Sequence, residues 1–294
     1  MTPIVQQRSS TPSGGDAGAG LSPENYTFLQ QYVQRESGIA LGQDKLYLLK
    51  SRLAPVVESE RLGSLDDLCQ RLRTAPAETL RRRVVEAMTT HETLFFRDPT
   101  VYDTLRAELL PELLRQREST KTLRIWSAAC SSGQEPYSLA MLLLELGCRD
   151  WNIQILGTDL SSQILDRAAA GRFLQIEVNR GMPASLLVKY FQRAGLEWQI
   201  KDEVRRMVRF SPFDLRQSMR PLGPFDLVLC RNVLIYFDME TRKTILAGMR
   251  GVLLPGGYLL LGASETTFNL DDSFLRRTIR NSTVYQVPSP GASR

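Results

Sequence analysis

From Leu123 to Leu261 this chain switches repeatedly between two hydrophobic periods, and that alternation restricts its fold more than any other feature. Leu123-Arg124-Ile125-Trp126 predicts a strand, followed by a small-residue loop, Ser127 to Gly133, and a helix from about Pro136 to Leu146. The strand Ile153-Gln154-Ile155-Leu156-Gly157 comes next, with Asp159 at its end, and then a helix from Ser161 to Ala170. Phe225-Asp226-Leu227-Val228-Leu229-Cys230 reads as a buried strand. A helix from Asp238 to Leu253 then leads through Leu254-Pro255-Gly256-Gly257 into a strand from Tyr258 to Leu261. Strands separated by helices pair in parallel, and a parallel sheet is covered on both faces, which makes the fold class α/β. Such sheets bind ligands beyond the carboxyl ends of their strands.

Two segments break the alternation. From Leu21 to Thr90 the pattern is helical throughout. Ser22-Pro23-Glu24 supplies an N-cap, a proline at the first helical position and an early acid, and the helix ends near Gly38. A second helix covers about Asp44 to Arg61, with Pro55 expected to kink or split it. Ser64 caps a third, and Pro76 opens a fourth that carries Arg81, Arg82 and Arg83. Between Gly171 and Phe210, a short helix near Leu186 to Phe191 and strand-like pieces at Trp198-Gln199-Ile200 and Met207-Val208-Arg209-Phe210 predict an inserted antiparallel subdomain. The expected organisation is a flexible tail at 1–20, a helical domain at 21–90, a sheet domain at 91–288 with an insert at about 171–211, and a tail at 289–294.

At 294 residues the chain can bury a core in each of two domains. It has no apolar run of the roughly 18 residues that suggest a membrane span, and its first twenty residues lack the basic start and apolar stretch of a secretion signal. The four cysteines form no Cys-x-x-Cys pair, and one histidine leaves little for zinc, so no metal is expected and reduced thiols in a cytoplasmic protein are the simplest reading. A net charge of +5 permits acidic partners but is equally the sum of a solvated surface.

Candidate functional residues gather in the loops. Ser127 to Gly133 lets backbone approach a ligand at a helix start, or is an ordinary tight turn. Asp159, at a strand's carboxyl end, reads as an acceptor for ribose hydroxyls or as a helix cap; Asp226, early in its strand, reads as structural. Glu135 suits the helix dipole and could also meet a cationic ligand group. Arg231, Asn232 and Tyr236 directly follow a buried strand, where such side chains are costly unless they form a site or bond to loop carbonyls. In the connector Thr89 to Asp98, Phe95 and Phe96 imply burial and Arg97 a paired or ligand-facing guanidinium. His91 reads more readily as hydrogen-bonded structure than as a ligand or base.

Taken in order, Thr93-x-Phe95-Phe96-Arg97, Ser132-Gly133-x-Glu135-Pro136-Tyr137-Ser138, Thr158-Asp159 and Cys230-Arg231-Asn232-Val233-x-Ile235-Tyr236-Phe237 resemble the CheR-type chemotaxis receptor methyltransferases. So do Lys45-x-x-Leu48-x-x-Ser51-Arg52-Leu53, Arg180-Gly181-Met182-Pro183 and Gly262-x-Ser264-Glu265, and the likeness spans about residues 22 to 287. The resemblance implies a Rossmann-like S-adenosylmethionine-dependent methyltransferase domain with an N-terminal helical domain and an inserted β-subdomain. It implies transfer of a methyl group to glutamate carboxylates of chemoreceptor helices, with S-adenosylhomocysteine as product. Cofactor contacts are implied for His91, Thr93, Arg97, Glu135, Asp159, Asp214, Leu215, Arg231 and Asn232, and a catalytic role for Arg97 and Tyr236. His91 and Asp214 stand where some members have Asn. The implied partners are receptor helices and, through the insert, a receptor C-terminal tail, but not nucleic acid. The alternatives are a methyltransferase with another substrate, or a non-catalytic signalling protein that binds the cofactor.

Overall fold

The computed structural model describes residues 21–74 and 77–289, so both tails (1–20 and 290–294) and Pro76 lie outside the described residues. Four helices open it: α1 (Pro23–Ser37), α2 (Leu46–Ser59), α3 (Leu65–Thr74) and α4 (Glu78–Met88). The Ser22 hydroxyl accepts from the Asn25 N–H at 3.2 Å, and Gly38, at φ 77°, ends α1 in the left-handed conformation that glycine tolerates. The Ser64 hydroxyl caps α3 by accepting from the Asp67 N–H at 3.1 Å. Of the two outcomes expected at Pro55, a kink or a split, the split does not occur: α2 runs through it as one helix. Leu49, Leu53 and Val56 lie on both sides of it in one core with Leu80, Val84 and Met88, and that packing outweighs a single missing backbone bond.

The chain then runs through α5 (Pro99–Thr104), a π-turn (Leu105–Leu109) and α6 (Leu110–Gln116) into the sheet. The remaining α-helices and strands are β1 (Thr122–Ala128), α7 (Gln134–Glu145), β2 (Asn152–Asp159), α8 (Ser162–Ala170), β3 (Arg172–Leu174), α9 (Gln175–Asn179), α10 (Ala184–Tyr190), β4 (Phe191–Ala194), β5 (Glu197–Ile200), α11 (Asp202–Arg205), β6 (Val208–Pro212), β7 (Phe225–Cys230), α12 (Met239–Val252), β8 (Leu253–Leu261), β9 (Leu275–Ile279) and β10 (Ser282–Gln286). The main sheet has the order β6-β2-β1-β7-β8-β10-β9, in which β10 alone is reversed, pairing antiparallel with both β8 and β9. Successive residues of β7 feed opposite cores: Leu227 and Leu229 join Leu123, Ile125 and Leu139, while Val228 and Cys230 join Trp126, Ile245 and Leu246. Asp226 accepts from the Arg117 Nε at 2.6 Å and the Arg124 N–H at 2.8 Å, tying β7 to β1 and to the end of α6.

Two strands depart from the sequence reading. The segment expected around Met207–Phe210 does not join the insert; as β6 it pairs in parallel with β2 at the edge of the main sheet. Its apolar pattern marks a strand but carries no information about its partner. The last parallel strand starts at Leu253, directly after α12, and not at Tyr258. Leu254-Pro255-Gly256-Gly257, which reads as a turn, is absorbed as an irregularity in the β7–β8 register.

The insert's own sheet is antiparallel, in the order β3-β5-β4. Phe173 and Phe191 pack their rings edge-on against Phe95 of the connector, with centroids 4.9 and 5.7 Å away. Gly181 makes this joint possible. It sits at φ 86°, and a Cβ there would lie 2.0 Å from the Phe95 carbonyl oxygen. Gly181→Ala should therefore cost about 2–4 kcal/mol, combining left-handed strain with a backbone clash, and lower the denaturant midpoint measured by circular dichroism. An unchanged midpoint would show that the insert does not depend on this contact.

Candidate active site

The carboxyl ends of β1, β2 and β7 open on one cavity, beside the point where the chain order reverses across the sheet. The loop after β1 is built for close approach: Ala129, Ser131 and Gly133 have φ of 56°, 51° and 89°. It is pinned from β2. The Cys130 N–H donates to the Thr158 carbonyl at 2.8 Å, and the Ser131 N–H to Asp159 Oδ2 at 2.9 Å. Asp159 Oδ1 also accepts from the Ser161 N–H at 3.1 Å, while the Ser161 hydroxyl itself caps α8. The helix cap is thus Ser161 and not Asp159, while Asp159 organises two loops and lines the cavity. Burial raises its pKa, against the pull of those N–H groups and of His91. His91 has its own pKa lowered by burial; its Nε2 lies 2.7 Å from the Thr89 hydroxyl, and its carbonyl accepts from the Ser131 hydroxyl.

On the opposite side Arg231 joins three segments. Its guanidinium donates to Glu135 Oε2 at 3.0 Å, Asp98 Oδ2 at 2.5 Å and the Arg97 carbonyl at 2.9 Å, and its side chain is 2% exposed. Its Nε is buried with no partner. The second Glu135 oxygen accepts from the Ser127 hydroxyl at 2.8 Å. Of the connector phenylalanines, Phe95 is fully buried and Phe96 half-buried, with its N–H on the Ser138 hydroxyl at 3.0 Å. Half-buried Arg97 donates to the Glu92 carbonyl at 3.0 Å.

Every residue for which the resemblance implies a cofactor or catalytic role lines this one cavity: His91, Thr93, Arg97, Glu135, Asp159, Asp214, Leu215, Arg231, Asn232 and Tyr236. Asp214 is engaged by Arg216, whose Nη2 lies 2.6 Å from its carboxylate and also donates to the Glu36 carbonyl at the end of α1, again at 2.6 Å. That contact draws the helical domain into the wall. Ser37, Ile39 and Phe213 line the cavity too, though nothing local in the sequence marked them, as does Phe237 at the end of the Cys230–Phe237 motif. Cys130 lies in the wall, but burial pushes its thiol pKa well up, so it stays protonated and is no nucleophile.

An apolar cleft at a sheet's switch point, with carboxylates at separate places and an unpartnered buried guanidinium nitrogen, fits a nucleoside carrying a charged amino-acid tail. Fold and site are those of an S-adenosylmethionine-dependent methyltransferase, and comparison with known proteins agrees. Residues 91–282 match the CheR methyltransferase SAM-binding domain and residues 24–89 the CheR methyltransferase all-alpha domain. Chemotaxis protein methyltransferase 1 of Pseudomonas aeruginosa is 43% identical over 256 residues, covering 85% of this chain and 93% of that protein. Chemotaxis protein methyltransferase Cher2 of Pseudomonas putida is 41% identical over 262 residues (87% and 95%), and a chemotaxis protein methyltransferase of Vibrio anguillarum 42% over 259 (86% and 93%). This chain belongs to the CheR family of chemotaxis protein methyltransferases. Among the described residues no helix is long and apolar enough to cross a membrane.

Proposed function

We propose that this chain transfers the methyl group of S-adenosylmethionine to glutamate carboxylates on the cytoplasmic helices of chemoreceptors, working in the cytoplasm and leaving glutamyl methyl esters. The observation that carries the reading is the convergence of the connector, three strand ends and the tip of α1 on one cleft in a chain of this family. On this reading Asp159 accepts from the ribose hydroxyls and Glu135 faces the methionyl ammonium. The apolar side chains of Leu215 and Phe213 flank the adenine. The bound cofactor supplies an electrophilic methyl group. A glutamate is already ionised near neutral pH, so no general base is needed. The protein's contribution is to strip water from the acceptor and hold it in line.

Arg97 and Tyr236, on two segments at the same cavity, are placed to orient the acceptor. Arg97→Ala and Tyr236→Phe should each lower transfer by about 100-fold while changing the affinity for S-adenosylhomocysteine by no more than about threefold. Equal losses in both quantities would assign them to cofactor binding alone. Basic residues of the helical domain can steer acidic helices to the cleft. Arg81 and Arg82 are exposed, but Arg52 is held by the Met88 and Thr89 carbonyls at 2.6 and 3.1 Å, and Lys45 pairs with Asp44 at 2.9 Å. The insert offers open sheet edges at β3 and β4, with Leu174 and Leu196 exposed beside them, where a receptor tail could add a strand.

The deciding experiment incubates the chain with methyl-labelled S-adenosylmethionine and receptor-bearing membranes, with RNA as a parallel acceptor. Base-labile label on the receptor is the expected result. Label on RNA alone, or on neither, overturns the proposal.

A further inference from the structure

Glu265 lies outside the cavity, yet its carboxylate is tied to the turn that carries Arg231, Asn232 and Tyr236. Its Oε2 accepts from the Asn232 N–H at 2.8 Å and the Gly262 N–H at 2.7 Å. Its Oε1 accepts from the Val233 N–H at 2.9 Å and the Leu234 N–H at 2.7 Å. Three successive amides converging on one carboxylate form a nest, and anionic acceptance makes each bond stronger than a neutral one. The nest also accounts for the backbone of Asn232, a non-glycine residue at φ 60°. Gly262 completes it: a Cβ there would lie 2.7 Å from Glu265 Oε2 and 2.8 Å from the Asn232 nitrogen.

We infer that Glu265 is a positioning residue for methyl transfer, fixing the 231–236 turn so that Tyr236 meets the acceptor at the cofactor. The inference rests on the proposed function for its chemical consequence, but not for the anchoring itself. Cofactor contacts are spread over several elements, whereas Tyr236 is placed by this turn and, beyond it, by the Ala40 N–H, which donates to its carbonyl at 2.8 Å. Loss of the anchor therefore acts mainly on transfer. Glu265→Gln keeps the shape but turns an NH2 toward amides that also donate. Gly262→Ala keeps the carboxylate and pushes it off the nest, at a glycine whose φ is not left-handed.

Hydrogen exchange of the 230–237 peptide in the full chain measures anchoring without any need for activity, and labelled transfer to receptor membranes measures the consequence. Both variants, folded by circular dichroism, should exchange this peptide at least about tenfold faster and lose about 10- to 100-fold in transfer kcat, with S-adenosylhomocysteine affinity within about threefold of the parent. The double variant should be no worse than either single one, because both changes break the same contact. Unchanged exchange overturns the anchor, whatever the acceptor proves to be. Faster exchange with undiminished transfer, with equal losses in transfer and affinity, or with losses that multiply in the double variant, overturns the positioning role. A parent chain inactive on receptors counts against the proposed function, and exchange then decides the anchor alone.

Discussion

Arg231→Met should destabilise the protein by about 3–5 kcal/mol, the range for breaking a buried ion pair from one side. The methionine fills much of the volume, so the cost is electrostatic. Glu135, 12% exposed at its side chain, loses the cation it is paired with, while Asp98, 41% exposed, can turn to water. The connector loses its tie at the Arg97 carbonyl as well. Thermal unfolding should fall by on the order of 10 °C, and transfer should disappear with the connector's geometry. Arg231→Lys keeps the charge but not the fork that reaches Glu135, Asp98 and the carbonyl together, so it should recover only part of the stability. A melting temperature for Arg231→Met within a degree or so of the parent would mean that the guanidinium serves the ligand rather than the joint.

The second large effect falls on cofactor uptake. Asp159→Ala removes the acceptor proposed for the ribose and releases the Ser131 and Ser161 amides that shape the floor. Titration calorimetry with S-adenosylhomocysteine should show affinity weakened by about 100-fold, as expected for lost charge-assisted hydrogen bonds worth about 3 kcal/mol. The pH dependence supplies an internal check. Burial raises the Asp159 pKa, so its ionised, accepting form begins to disappear at a higher pH than for an exposed aspartate. Parent affinity should decline as pH falls through that raised value, whereas Asp159→Ala should lack that component of the decline. Parallel pH curves for the two proteins would remove Asp159 from the binding reaction.

Local chemistry made much of this legible in the sequence. Ser22-Pro23, Ser64 and Ser161 mark helix starts because a hydroxyl cap is a short-range device, and Phe225 to Cys230 stands out because a doubly covered strand is continuously apolar. Polar residues at strand ends pointed to the site for the opposite reason: Asp159 and Arg231 are too costly to bury without a task. What stayed hidden depends on tertiary partners. Val208–Pro212 looks the same whether it pairs with β5 or β2, and Pro255-Gly256-Gly257 has turn chemistry although it lies within a strand. Ser37 and Ile39 are ordinary helix-end residues until Arg216 docks that helix end onto the sheet domain. Glu265 is one more loop acid until its nest is seen.

The cleft draws its wall from two separately cored units, since the tip of α1 stands opposite the strand ends. Thermodynamic linkage gives that geometry a consequence. Whatever loosens the four-helix unit is felt as a weaker grip on the nucleoside, and a nucleoside in place holds the two units together like a staple. A chain of this build carries its own gauge of assembly, in which occupancy and integrity are read from the same seam.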